Sequence, residues 1–225
     1  MADELSGLQL NVHRSIRRLQ EDGLKAEIPD AEGYYQQARE QWRASPTVES
    51  EKLWLQATIV YQAVSVGSSL EWWQPLATIG GREAGFYPQT LATTRLYALM
   101  LTNGAIGRFM ARAVTQETVN SIKMAIACFE QVDTASVVRW KGCALVLLAR
   151  CLPIFDTSVE EQEARAYALR ALEFFKKPSL PSLSLYNYAR YTAGLSDGYV
   201  PGRSVVHHKP QLVPCEPSDI FYFQS

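Results

Sequence analysis

The chain has 225 residues, 47% of them hydrophobic, which is enough for one well-buried core with an extended segment left over. Its 22 Lys and Arg balance 23 Asp and Glu, so no global charge draws it to nucleic acid or to an anionic membrane, and recognition falls to shape, apolar contact or a local patch. Met1-Ala2-Asp3-Glu4 lacks the basic and apolar regions of a signal peptide.

Leu5, Leu8, Val12, Ile16 and Leu19 recur on one side of a helical wheel and predict an amphipathic helix over 3–22 that ends near Gly23. Arg14, Arg17 and Arg18 fall roughly opposite. That basic face is a solvated surface or a site of contact with phosphate or, peripherally, with a lipid membrane. A helix follows Pro29-Asp30 as far as about Trp42. Ser45-Pro46 then reads as a cap and first helical position for the next, which carries Leu53, Ala57, Val60 and Val64 inward and ends at Gly67-Ser68-Ser69. Residues 70–90 hold Trp72-Trp73, Pro75, Gly80-Gly81, Gly85 and Pro88, which predicts an irregular loop pinned by an indole.

Leu91–Val114 and Val119–Val132 form the central hairpin. Leu96, Leu99, Met100, Ala105, Phe109 and Ala113 recur on the first segment, and Ile122, Ala125, Ile126 and Phe129 on the second, with Thr115-Gln116-Glu117 as a polar hinge. Gly104, Gly107 and Ala111 make a small-residue stripe, either for close packing or for a groove that admits a partner helix. A helix over 134–151 presents Val137, Trp140, Ala144, Leu147, Leu148 and Cys151 inward and stops at Pro153. Ser158-Val159-Glu160-Glu161 is a capping-box pattern that opens a helix running to Lys176-Lys177, and 186–195 forms a last helix. Asp197-Gly198, Pro201, Pro210, Pro214 and Pro217 exclude further long elements.

No segment alternates as a strand. The expected fold is all-α: antiparallel helical hairpins packed helix on helix without a fixed period, with 1–198 as a single helical domain and 199–225 as an extended proline-containing tail.

Motifs for chemistry are weak. Gly194-Leu195-Ser196-Asp197-Gly198 matches the nucleophile elbow of serine hydrolases, but a helix precedes it and a proline-containing segment follows, so it reads as a helix-terminating turn. His207, His208 and Cys215 are zinc-competent residue types without a fourth ligand or a standard spacing. Gly80-Gly81-Arg82 lacks the Lys-Ser/Thr of a phosphate loop. Glu160, Glu161 and Glu163 suit a first helical turn. Cys128, Cys143 and Cys151 lie in apolar helical segments and read as small hydrophobes in a reducing, cytoplasmic compartment. No catalytic residue, cofactor or metal is assigned. The expected partner-binding residues are Trp72 and Trp73, Gly104 and Gly107 of the stripe, and Phe221, Tyr222 and Phe223 near the C-terminus, where bulky apolar side chains in a structureless segment suggest docking.

Leu101-Thr102-Asn103-Gly104-Ala105-Ile106, Phe109-Met110-Ala111 and Ser121 to Gln131 resemble the central hairpin of the Bro-type domain of endosomal-sorting adaptors. Leu70-Glu71-Trp72-Trp73 is similar in kind and placement to that family's upstream Trp-containing stretch. The resemblance covers about 34–132, and weakly 137–176. It implies a curved, tetratricopeptide-like helical bundle or short solenoid, a scaffold without catalytic activity, associated with endosomes, that binds an amphipathic helix of filament-forming sorting proteins. A structural subunit of a larger assembly, held by its first helix and tail against neighbouring subunits, is the alternative. A small-molecule enzyme in a helical bundle ranks below both.

Overall fold

A computed structural model of the protein describes residues 2–22, 26–68, 73–83, 85–132, 137–154, 158–174 and 189–195. The helices are α1 (Ala2–Asp22), α2 (Ala31–Ala44), α3 (Val48–Ser68), α4 (Trp73–Ile79), α5 (Leu91–Met110), α6 (Gln116–Gln131), α7 (Val138–Cys151) and α8 (Ser158–Phe174). Residues 189–192 are also helical, and no strand occurs among the described residues. The fold is all-α, as its sequence predicts. The segment 199–225 lies outside the described residues.

Short connections force α2 and α3, and α5 and α6, into antiparallel hairpins. Contacts follow chain order, from α2 to α3, α3 to α5, α5 to α6, α6 to α7 and α7 to α8, while α1 covers α2 and α3. One continuous apolar core runs from Leu8 on α1 to Ala189.

Three of these helices start with the same device. A Thr side chain accepts from the backbone N–H three residues on, and the hydroxyl at that position accepts from the Thr backbone N–H. The pairs are Thr47 with Ser50, Thr90 with Thr93, and Thr115 with Thr118. Each box satisfies two backbone donors that a helix start leaves open. The cap of α3 is thus Thr47 and not Ser45, whose carbonyl instead accepts from the Ser50 hydroxyl at 2.8 Å.

α5 departs from the one-sided pattern read from its sequence. Every residue from Leu96 to Gly107 is buried, as are Thr93 and Thr94. A helix apolar all round belongs inside the core, and α5 is packed by α3, α4, α6 and α7. Its polar residues are paired internally. Asn103 Nδ2 donates to Gln62 Oε1 at 3.0 Å, and Gln62 Nε2 donates to the Met100 carbonyl at 3.2 Å.

α5 also ends four residues earlier than expected. Arg112 takes a left-handed backbone, φ 55°, and the Ala113 N–H returns to the Arg108 carbonyl at 2.9 Å. This is a Schellman-type stop with arginine where glycine is usual. Pro153 follows the end of α7 as expected, inside a short 3-10 turn over Leu152–Ile154.

Candidate interaction surface

Residues 70–90 are not one irregular loop, because Trp73–Ile79 forms the short helix α4 with Pro75 in its first turn, where the missing N–H costs nothing. Beyond that helix, a strap from Gly80 to Thr90 joins α4 to α5 and is fastened at successive points. Gly80 lies backbone to backbone against Gly104 of α5. Glu83 accepts from Arg39 Nε at 3.0 Å and from Arg43 Nη2 at 3.0 Å, so two arginines of α2 share one carboxylate. The Gln89 N–H donates to Oε1 of Glu51, a buried residue of α3, at 3.1 Å.

Phe86 is the central fastening. Its ring stands edge-on to Trp42 and Trp54, both at 5.2 Å, and to Tyr97 at 4.7 Å, while the two indoles stack at 4.3 Å. Edge-to-face packing of this kind adds about 0.5–1.5 kcal/mol per pair beyond area burial. The ring that pins the loop is its phenylalanine, seated against indoles of α2 and α3, whereas the loop's own indoles, expected to pin it, lie outside the described residues. Burial pushes the Tyr97 phenol up to about 12, with Arg82 pulling the other way.

Phe86 faces the core and Tyr87 faces out, 70% exposed. Leu91, on the first turn of α5, is 64% exposed. Two large apolar groups, Tyr87 within the strap and Leu91 just beyond it, are thus held in water, and sequence reasoning named neither as a partner residue. The signal was present in Phe86-Tyr87-Pro88, two aromatics side by side amid turn residues.

The sequence-derived partner residues divide differently. Gly104 and Gly107 are buried. A Cβ on Gly104 would enter the Gly80 backbone, and one on Gly107 would enter α4 at Leu76 and Ala77. At Gly104 and Gly107 the stripe is therefore filled by the chain itself, while Ala111, past the end of α5, is exposed. α4 is the helix that the stripe admits. Trp72, the Trp73 side chain and Phe221, Tyr222 and Phe223 lie outside the described residues, as do Ser196, His207, His208 and Cys215. Arg14, Arg17 and Arg18 are exposed on α1. Gly80 and Gly81 serve packing: a Cβ on Gly81 would crowd Arg108, whose Nη1 donates to the Gly80 carbonyl at 3.5 Å. Glu163 pairs with Lys123 at 3.1 Å.

Cys128, Cys143 and Cys151 are buried. Burial pushes the Cys128 thiol up to about 11 and the Cys151 thiol up to about 12, the direction opposite to that of a reactive thiolate. Among the described residues no group of three or more His, Cys, Asp or Glu stands together as a metal site. No described helix is long and apolar enough to cross a membrane. The chain matches no family model, no curated protein and no solved structure.

Proposed function

We propose that the protein is a non-enzymatic interaction scaffold that holds a protein partner on the surface between Tyr87 and Leu91. The observation that carries this reading is the fastened strap, which exposes Tyr87 and Leu91 while Phe86, Glu83 and Gln89 hold the backbone beneath them. Ordering a loop on binding costs affinity, and here the fold has already met that cost. Aromatic side chains held in this way are the usual anchors of protein interfaces.

An amphipathic helix is the partner chemistry that suits two apolar anchors, and the Bro-type resemblance makes filament-forming sorting proteins the first candidates. Photo-crosslinking tests the reading. With benzoylphenylalanine at position 87, the full chain is expected to give one dominant adduct in cells, and at the exposed position 161 none. Equal labelling from both positions would refute it.

The structural-subunit reading, which the sequence places on the first helix and tail, has a further apolar surface available to it. Leu169 of α8, with Tyr191 and Leu195 of the described segment beyond it, exposes apolar area where Ala193 packs on Ala149 and Ala168. Retained assembly in a Leu169→Ser/Tyr191→Ser variant removes that surface from the alternative.

A further inference from the structure

The apolar side of α1 is consumed by the fold, since Leu8, Val12, Ile16 and Leu19 are all buried. Its opposite side is open. Leu10, His13, Arg14, Arg17 and Arg18 are exposed, and at 100° per residue they share an arc of about 140° and a length of about 12 Å. Arg39, Arg43, Arg82 and Arg170 each stand against a carboxylate. Among the described residues no carboxylate lies within ion-pair distance of Arg14, Arg17 or Arg18, and Arg18 instead donates to the Glu27 carbonyl at 3.2 Å. Glu21, one turn after Arg17, shares the arc at its C-terminal end, and the exposed Asp22 and Glu27 flank it there. Arg14 and Arg17 are therefore the arginines farthest from acidic neighbours on the described part of the face. Leu10, 49% exposed, sits within the cationic group.

We infer that this face binds the surface of an anionic lipid bilayer. The helix presents a convex ridge, which fits a planar array of headgroups. A groove that could enclose a peptide, or aromatic side chains that could stack on bases, are absent from the exposed residues of α1. Each arginine close to such a surface gains from its negative potential, and Leu10 adds shallow apolar contact at the headgroup boundary. Because the apolar side of α1 stays in the core, the helix rests on the bilayer and does not insert.

Sedimentation of the full chain with phosphatidylcholine vesicles, with and without phosphatidylserine, tests this. Binding is expected only with phosphatidylserine, and it should weaken as salt rises. Arg14→Gln/Arg17→Gln should lower partitioning about thirtyfold, and Leu10→Ser by a smaller factor. Far-UV circular dichroism should show both variants folded, since every substituted side chain is exposed. No sedimentation with phosphatidylserine, equal sedimentation with both vesicle types, or a double variant that binds like the parent would each overturn the inference. Binding to immobilised polyglutamate but not to vesicles, lost in the double variant, would overturn it in favour of an acidic protein partner.

Discussion

Phe86 meets Trp54 edge to face, with ring centroids 5.2 Å apart and ring planes at 84°. Through this contact a loop residue becomes part of the core, and the residue beside it, Tyr87, is turned to solvent. The proposed interaction surface depends on that division.

Phe86→Ala removes the ring that joins the strap to α2, α3 and α5. It should cost about 3–5 kcal/mol, within the range for a buried aromatic truncated to alanine. Urea denaturation followed by tryptophan fluorescence reads the loss. Phe86→Leu should recover part of it. A loss under about 1 kcal/mol would mean that the strap is not fastened there.

Gly104→Ala adds one methyl group where Gly80 backbone already stands. Overpacking ordinarily costs about 1–3 kcal/mol, and backbone cannot yield as a side chain can, so the expected loss lies at or above the top of that range. Gly7→Ala is the control. Nothing lies within 4 Å of its Cβ position, and alanine in a helix should gain about 0.5–1 kcal/mol.

The sequence carried most of the helices and little of the surface. Caps, prolines and spacing located α1, α2, α3, α6 and α7 within a few residues, because those signals are local. α5 was legible as a helix but not as a buried one, since burial on every side leaves no period to read. α4 was missed because seven residues starting at a tryptophan and containing a proline resemble a turn. The Gly104 and Gly107 stripe was visible, yet its filling by α4 and Gly80 is set by tertiary packing. Tyr87 and Leu91 look ordinary in sequence, and only the placement of Phe86 shows that they are held outward.

The buried amide pair gives a third prediction. Asn103→Ala leaves Gln62 Oε1 without its donor in a buried helix interface, at a cost of about 1–3 kcal/mol. Replacing Gln62 and Asn103 together by leucine should cost less than the sum of the two single changes, with a coupling of at least about 0.5 kcal/mol in a double-mutant cycle. Strict additivity would mean that the two amides do not act as a unit.

Alkaline titration gives a fourth. Burial favours the neutral forms of Tyr97, Cys128 and Cys151, whose pKa values rise in the fold to about 12, 11 and 12 from ordinary values of 10.0, 9.0 and 9.0. Their contribution is therefore complete below about pH 9 and is lost between about pH 9 and 12, as the unfolded chain releases protons that the folded chain keeps. Thermal unfolding should show stability falling through that window. Site-resolved alkylation at neutral pH should leave Cys128 and Cys151 unmodified until denaturant is added. Rapid alkylation of either in the folded chain would contradict the burial.

The central claim is that Tyr87 and Leu91 hold the partner. Its most direct test is affinity purification of the full chain and of a Tyr87→Ser/Leu91→Ser variant from the cells that express it, with quantitative mass spectrometry of the recovered proteins. Both side chains are exposed, so the variant should unfold within about 0.5 kcal/mol of the parent. The account predicts a partner recovered with the parent and depleted about thirtyfold or more with the variant, the loss expected on removing an interface anchor. Recovery of the same proteins in equal amounts with both chains would contradict it and move the interface elsewhere on the fold.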